Sequence, residues 1–211
     1  MKIERLTLGS YQTNCYLLFK GEVAWVIDPA DSPEAILKRL TNLEGVILTH
    51  FHYDHLLALP ALIDAYPQAK IYIHPFDAPF LGPEGGVVLG QFARALDPDL
   101  RSKDESFWAS LPEATHLVEE GDLIEGIGLK VIHTPGHSLG SICLYTEGHL
   151  FAGDTLFARS VGRTDLPHSA PELLINSIET KLLPLPKETI VYPGHGPETT
   201  IGSEARENPF L

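Results

Sequence analysis

THFHYDH, residues Thr49–His55, packs three histidines and an aspartate into seven positions. It stands directly after Val46–Leu48, which reads as a short buried strand. Directly after it comes LLALPALIDAY (Leu56–Tyr66), which reads as a helix that Pro60 would bend. In extended chain, residues two apart face the same side, so His50 and His52 can point together at one ion. Asp54 and His55 sit where the chain turns into the helix and face a neighbouring position. Neutral imidazole and carboxylate suit zinc, iron or manganese. One zinc site takes three or four ligands. Four candidates in a single loop, with more far along the chain, therefore imply two ions.

The further candidates follow three later strand ends. HTPGHSLGS places His137 after a strand Leu129–His133, FAGDTLF places Asp154 after a strand His149–Ala152, and YPGHGP places His195 after a strand Thr189–Tyr192. Each is a turn of small residues presenting one donor, and glycine there lets the backbone approach a crowded centre. Upstream, Tyr16–Phe19 and Val23–Ile27 flank Lys20-Gly21-Glu22 as a hairpin. Asp31-Ser32-Pro33-Glu34 then opens a helix carrying Ile36, Leu37 and Leu40 on its apolar side. Lys70–Ile73 and Ser141–Tyr145 are further strands, and Pro171–Leu183 is a further helix. Strands interleaved with helices predict sheet layers covered by helices.

The chain has 211 residues, 44% of them hydrophobic, enough for a sizeable core. No repeat or low-complexity tract divides it, so one domain over 1–211 is expected. The stretch around 75–111, rich in Pro and Gly and then charged, reads as a partly helical, lid-like insertion. Its Phe107 and Trp108 read as packing anchors. A net charge of −13 repels a phosphate backbone and anionic membranes, so neither nucleic acid nor a membrane is an expected partner. The N-terminus lacks an apolar run of signal-peptide length, and a cytoplasmic protein is expected. Cys15 and Cys143, the only cysteines, imply no disulfide framework and read as small core residues. His74, His116, His133 and His149 read as structural.

THFHYDH, TPGHSLGS, GDTLF and PGHG, in that order from about Asn14 to His195, resemble the metallo-β-lactamase superfamily, in its short glyoxalase II-like (hydroxyacylglutathione hydrolase-like) branch. The resemblance implies an α/β fold, a four-layer αββα sandwich with metals along one edge. It implies that His50, His52 and His137 hold one ion, that Asp54, His55 and His195 hold the second, and that Asp154 bridges them. Asp28, in VIDPA, falls where the family has an aspartate supporting the ligands. Zinc is the leading metal, with iron or manganese as alternatives.

A hydroxide bridging two such ions, with Asp54 beside it, attacks a carbonyl carbon without a serine or cysteine nucleophile. The resemblance implies a small-molecule thioester substrate of the hydroxyacylglutathione type. Arg163, in SVGRTD, stands near the family's substrate-binding base, and Arg206 is the one base in the tail. Where the family has a tyrosine two residues after that base, this chain has Asp165. After the last metal histidine it reads His195-Gly196-Pro197 in place of a family tyrosine. Sixteen residues follow His195, too few for the family's helical extension. Two alternatives stand beside the thioesterase. One is an oxygen-dependent persulfide dioxygenase with a single iron, which the GRTD stretch Gly162–Asp165 also resembles. The other is a hydrolase of a different ester, lactone or lactam.

Overall fold

The hairpin marked by Gly21 (φ 67°) joins strands that run antiparallel with Lys20 opposite Val23. The computed structural model describes residues 1–211 and divides them into two compact units, Met1–Leu117 and Val118–Leu211.

The first unit is built on a six-stranded sheet in the order β1 (Lys2–Leu8), β2 (Thr13–Lys20), β3 (Val23–Ile27), β4 (Leu43–Ile47), β5 (Lys70–Ile73) and β6 (His116–Leu117). The first two pairings are antiparallel and the last three parallel. A parallel pair needs a crossover between its strands. Helices α1 (Pro33–Leu37) and α2 (Leu59–Ala65) lie in the first two crossovers. Helix α1 starts at Pro33 and α2 has Pro60 as its second residue, and a missing N–H costs nothing in a first turn. Pro60 therefore opens α2 instead of bending a longer helix, and the residues before it form a turn. Helix α1 is likewise shorter than expected, and Ser32 precedes it in the left-handed region (φ 58°) without a side-chain cap.

The third crossover contains helices α3 (Gly82–Leu96) and α4 (Glu105–Ala109). This segment joins the unit's core through Phe80, Leu89, Trp108 and Leu111. Trp108 is fully buried against α3 at Gly86 and Gly90, where a methyl group would meet it at 2.0 and 2.3 Å. It packs as an anchor, as its sequence context suggested.

The second unit has a six-stranded sheet ordered β14 (Thr199–Thr200), β13 (Ile190–Pro193), β10 (His149–Gly153), β9 (Ile142–Thr146), β8 (Leu129–His133) and β7 (Leu123–Ile124). A small hairpin, β11 (Leu156–Phe157) with β12 (Ser160–Val161), follows β10. Helix α5 (Pro171–Ser177) continues into a π turn over Ile178–Leu182, so the predicted helix Pro171–Leu183 changes hydrogen-bond spacing midway. Helix α6 (Ile201–Glu207) is capped by the Thr200 hydroxyl, which accepts from Ser203 N–H at 3.1 Å. Leu174, Ile178 and Leu182 pack with Cys143, Leu150 and Val191 in this unit's core.

Candidate metal centre

In the first unit the candidate ligands gather at the carboxyl ends of parallel strands, where open α/β sheets place their ligands. Strands β3 and β4 run side by side with Ile27 opposite Ile47, so the residues after them are neighbours. Asp28 follows β3 and is 2% exposed. One of its carboxylate oxygens accepts the Thr49 N–H at 2.8 Å. The other accepts the Thr49 hydroxyl at 2.7 Å and His55 Nδ1 at 3.0 Å.

That arrangement determines two tautomers. His55 donates from Nδ1 because a carboxylate only accepts, which leaves the Nε2 lone pair for a metal. The Thr49 hydroxyl spends its one proton on Asp28. His50 Nδ1, 3.0 Å from that hydroxyl oxygen, therefore donates to it, and Nε2 carries the lone pair. Asp28, His50 and His55 offer donor atoms within 4.8 Å of one another. The Asp28 oxygens are committed to Thr49 and His55.

His52 packs its ring edge-on to His50, centroids 4.7 Å apart. Asp54 is in the single 3-10 turn Tyr53–His55. Its Oδ2 accepts the Thr13 hydroxyl at 3.0 Å and lies 3.5 Å from His55 Nε2. The backbone of the loop is pinned from β5's side, where Asp77, 1% exposed, accepts the Phe51 N–H at 3.1 Å.

In the second unit β8 and β10 are both antiparallel to β9, and β13 is parallel to β10, so all three point the same way. His137, Asp154 and His195 come just after their carboxyl ends. The Gly194 N–H donates to Gly153 O at 2.7 Å, which draws the last two turns together. Asp154 Oδ2 stands 3.6 Å from His137 Nε2 and 3.5 Å from His195 Nε2. His137 donates from Nδ1 to the Arg163 carbonyl at 2.8 Å, so here too Nε2 is left to ligate. Gly162 makes this contact possible: a methyl there would meet the Asp154 carbonyl oxygen at 1.9 Å.

Residues outside these clusters have other tasks. His74 Nδ1 accepts the Phe76 N–H, His133 Nε2 bonds to Leu139 O, and His149 pairs with the Tyr192 hydroxyl. Cys15 and Cys143 are fully buried. Burial pushes the Cys143 thiol up to about 11 and the Cys15 thiol further, so neither is a thiolate nucleophile at neutral pH. The Arg163 guanidinium makes two bonds to Asp165, at 2.7 and 2.8 Å. Hydrogen bonding to Arg163, the largest cause, lowers the Asp165 carboxyl to about 2. Arg206 is exposed on α6, with its closest acid at 3.9 Å in Glu207.

Sequence reading passed over Thr13, Thr49 as a link between Asp28 and His50, Asp77 and the Arg163 carbonyl. Thr49 and Asp77 carried a faint local signal as a hydroxyl and a carboxylate beside the loop's strands. A backbone carbonyl carries none. No helix is long and apolar enough to cross a membrane.

A family model of the metallo-beta-lactamase superfamily matches residues 8–195. The chain is 33% identical over 235 residues to hydroxyacylglutathione hydrolase GloC of Haemophilus influenzae, covering 100% of this chain and 98% of that protein. A crystal structure of TTHA1623 in a di-iron-bound form is similar at 38% identity and TM-score 0.81, covering 99% of this chain and 100% of that one. The crystal structure of BLEG-1 B3 metallo-beta-lactamase is similar at 37% identity and TM-score 0.81, covering 100% and 99%. The two sheets with their helices are the mixed α/β architecture of these neighbours.

Proposed function

The chain belongs to the metallo-β-lactamase superfamily, a superfamily of metallo-hydrolases, and on that premise we propose that it is a binuclear thioester hydrolase. The observation that carries the reading is the preset tautomer. His50, His55 and His137 each have Nδ1 engaged by an acceptor, as metal-ligating histidines do. In the proposal His50, His52 and His137 hold one divalent ion, Asp54, His55 and His195 hold the other, and Asp154 serves both. Zinc is the expected metal, and iron is the alternative that the di-iron form of TTHA1623 supports.

Such ions, when bound, bring the pKa of a coordinated water to about 7 and polarise an acyl carbonyl. The chain's own groups do the rest. Asp54, steadied by Thr13, orients the attacking water and takes its proton. Asp28 holds His55 in the tautomer that ligation needs. Water adds to the acyl carbon, the carbon–sulfur bond breaks, and a carboxylate and a thiol leave.

The likeness to GloC supports a hydroxyacylglutathione-type substrate. Arg163 and Arg206 are the bases proposed to meet its carboxylates. A substrate carboxylate at Arg163 must compete with Asp165, which predicts weaker capture of glutathione than an unpaired arginine would give. A small soluble thioester is thus the proposed partner, in a cytoplasmic protein.

The likeness to BLEG-1 favours a second reading, lactam hydrolysis by the same groups. One experiment separates them: metal content per chain, with turnover of S-lactoylglutathione and of a chromogenic β-lactam on the same sample. Two metals with thioester turnover are expected. Lactam turnover alone moves the assignment to the second reading. One iron, no hydrolysis and oxygen uptake on glutathione persulfide overturns both.

A further inference from the structure

The turn between β1 and β2 touches the metal loop at two points. Gly9 (φ 69°) and Gln12 (φ 53°) bend the chain, with the Gln12 N–H closing on Gly9 O at 3.2 Å. The turn presents Tyr11 at its tip and Thr13 at its end. The Thr13 hydroxyl donates to Asp54 Oδ2 at 3.0 Å. The Tyr53 hydroxyl donates to the Tyr11 hydroxyl at 3.1 Å, with the two rings edge-on at 5.5 Å and 75°. The second contact is itself anchored, because the Tyr11 hydroxyl donates to Asp97 Oδ2. Asp97 stands at the junction after α3, and its other oxygen accepts the Asp99 N–H at 2.8 Å. A carboxylate accepts only, so the proton order runs one way, from Tyr53 to Tyr11 to Asp97.

Tyr53 and Asp54 are adjacent members of a three-residue 3-10 turn, too short to hold its own shape. We infer that Tyr11 and Thr13 are positioning residues that clamp this turn from outside the loop and set the direction of the Asp54 carboxylate. Thr13 acts on the carboxylate itself. Tyr11 acts through Tyr53 on the backbone that carries it, with Asp97 holding Tyr11. The inference rests on the reading of Asp54 as a metal ligand.

A purely structural role for these contacts would move the melting temperature of the metal-free protein and leave metal affinity alone. The test is therefore zinc(II) titration against a chromophoric chelator, with the melting temperature of each metal-free protein measured beside it. Tyr11→Phe removes one hydroxyl from a residue that is 36% exposed, so folding is retained. Thr13→Val is isosteric, and Thr13→Ser restores the hydroxyl.

Wild type is expected to take up two zinc ions. Tyr11→Phe should weaken the more loosely held ion about 3- to 10-fold, the size of one hydrogen bond. Thr13→Val should weaken it about 10-fold, as lost outer contacts do. Thr13→Ser should recover most of that loss. Wild-type uptake with equal affinity in all four proteins overturns the clamp and leaves the metal reading standing. A wild type that takes up no zinc overturns both.

Discussion

Asp28 adopts φ 50°, a left-handed conformation that few side chains tolerate and that aspartate and asparagine visit most readily. Held there, its two oxygens accept three bonds, from the Thr49 amide, the Thr49 hydroxyl and His55. Through Thr49 it also decides which nitrogen of His50 carries the proton. One carboxylate thus orders two of the candidate ligands. Asp28→Asn keeps the shape and the backbone tolerance but removes the charge and one acceptor. The expected result is zinc affinity lower by about 10- to 100-fold, with the fold retained by circular dichroism. Affinity equal to wild type would remove Asp28 from the supporting role.

The elements bring candidate ligands to strand ends and then rely on small residues to close the gaps. On α3, Gly86 and Gly90 face Trp108, and the choice of glycine follows from competing magnitudes. Replacing a helical glycine by alanine ordinarily gains about 1 kcal/mol of helix propensity. At Gly86 the new methyl would stand 2.0 Å from the Trp108 carbonyl oxygen, a backbone atom that cannot swing aside. Overpacking of that kind costs about 1–3 kcal/mol or more, so the clash wins. Gly86→Ala should lower the melting temperature by several degrees, and a rise would show that α4 shifts freely. Sequence pattern marked β3, β5, β8, β9, β10 and β13 to within a residue, because short apolar runs are local signals, but it missed the half-exposed β1 and the two-residue strands, whose pairing is set by their neighbours. It overextended α2 and α5, because a proline's place in a helix and a π turn depend on what packs above them.

For the whole molecule, a net charge of −13 sets the long-range field. A thioester that carries glutathione carboxylates meets like charge on approach, and salt screens that repulsion. Under the proposed function, kcat/KM for S-lactoylglutathione should rise with ionic strength, about 2- to 5-fold between roughly 0.02 and 0.2 M. A fall would mean that a local basic surface steers the substrate despite the overall charge, with Arg163 the first residue to substitute.

By itself the sequence determined the family, the alternation of strands with helices and the identity of the candidate donors. Histidines and aspartates in four spaced motifs are legible because each motif is a local turn at a strand end. Tertiary structure alone decided which ring nitrogen of His50, His55 and His137 carries the proton. Those decisions come from Thr49 and Asp28, 21 residues apart in sequence, and from the Arg163 carbonyl, 26 residues from His137. The direction of the Asp54 carboxylate is likewise met by a distant group, the Thr13 hydroxyl 41 residues away. A tautomer is set by whatever acceptor folding brings beside the ring, and a backbone carbonyl leaves no mark in the residue type that carries it.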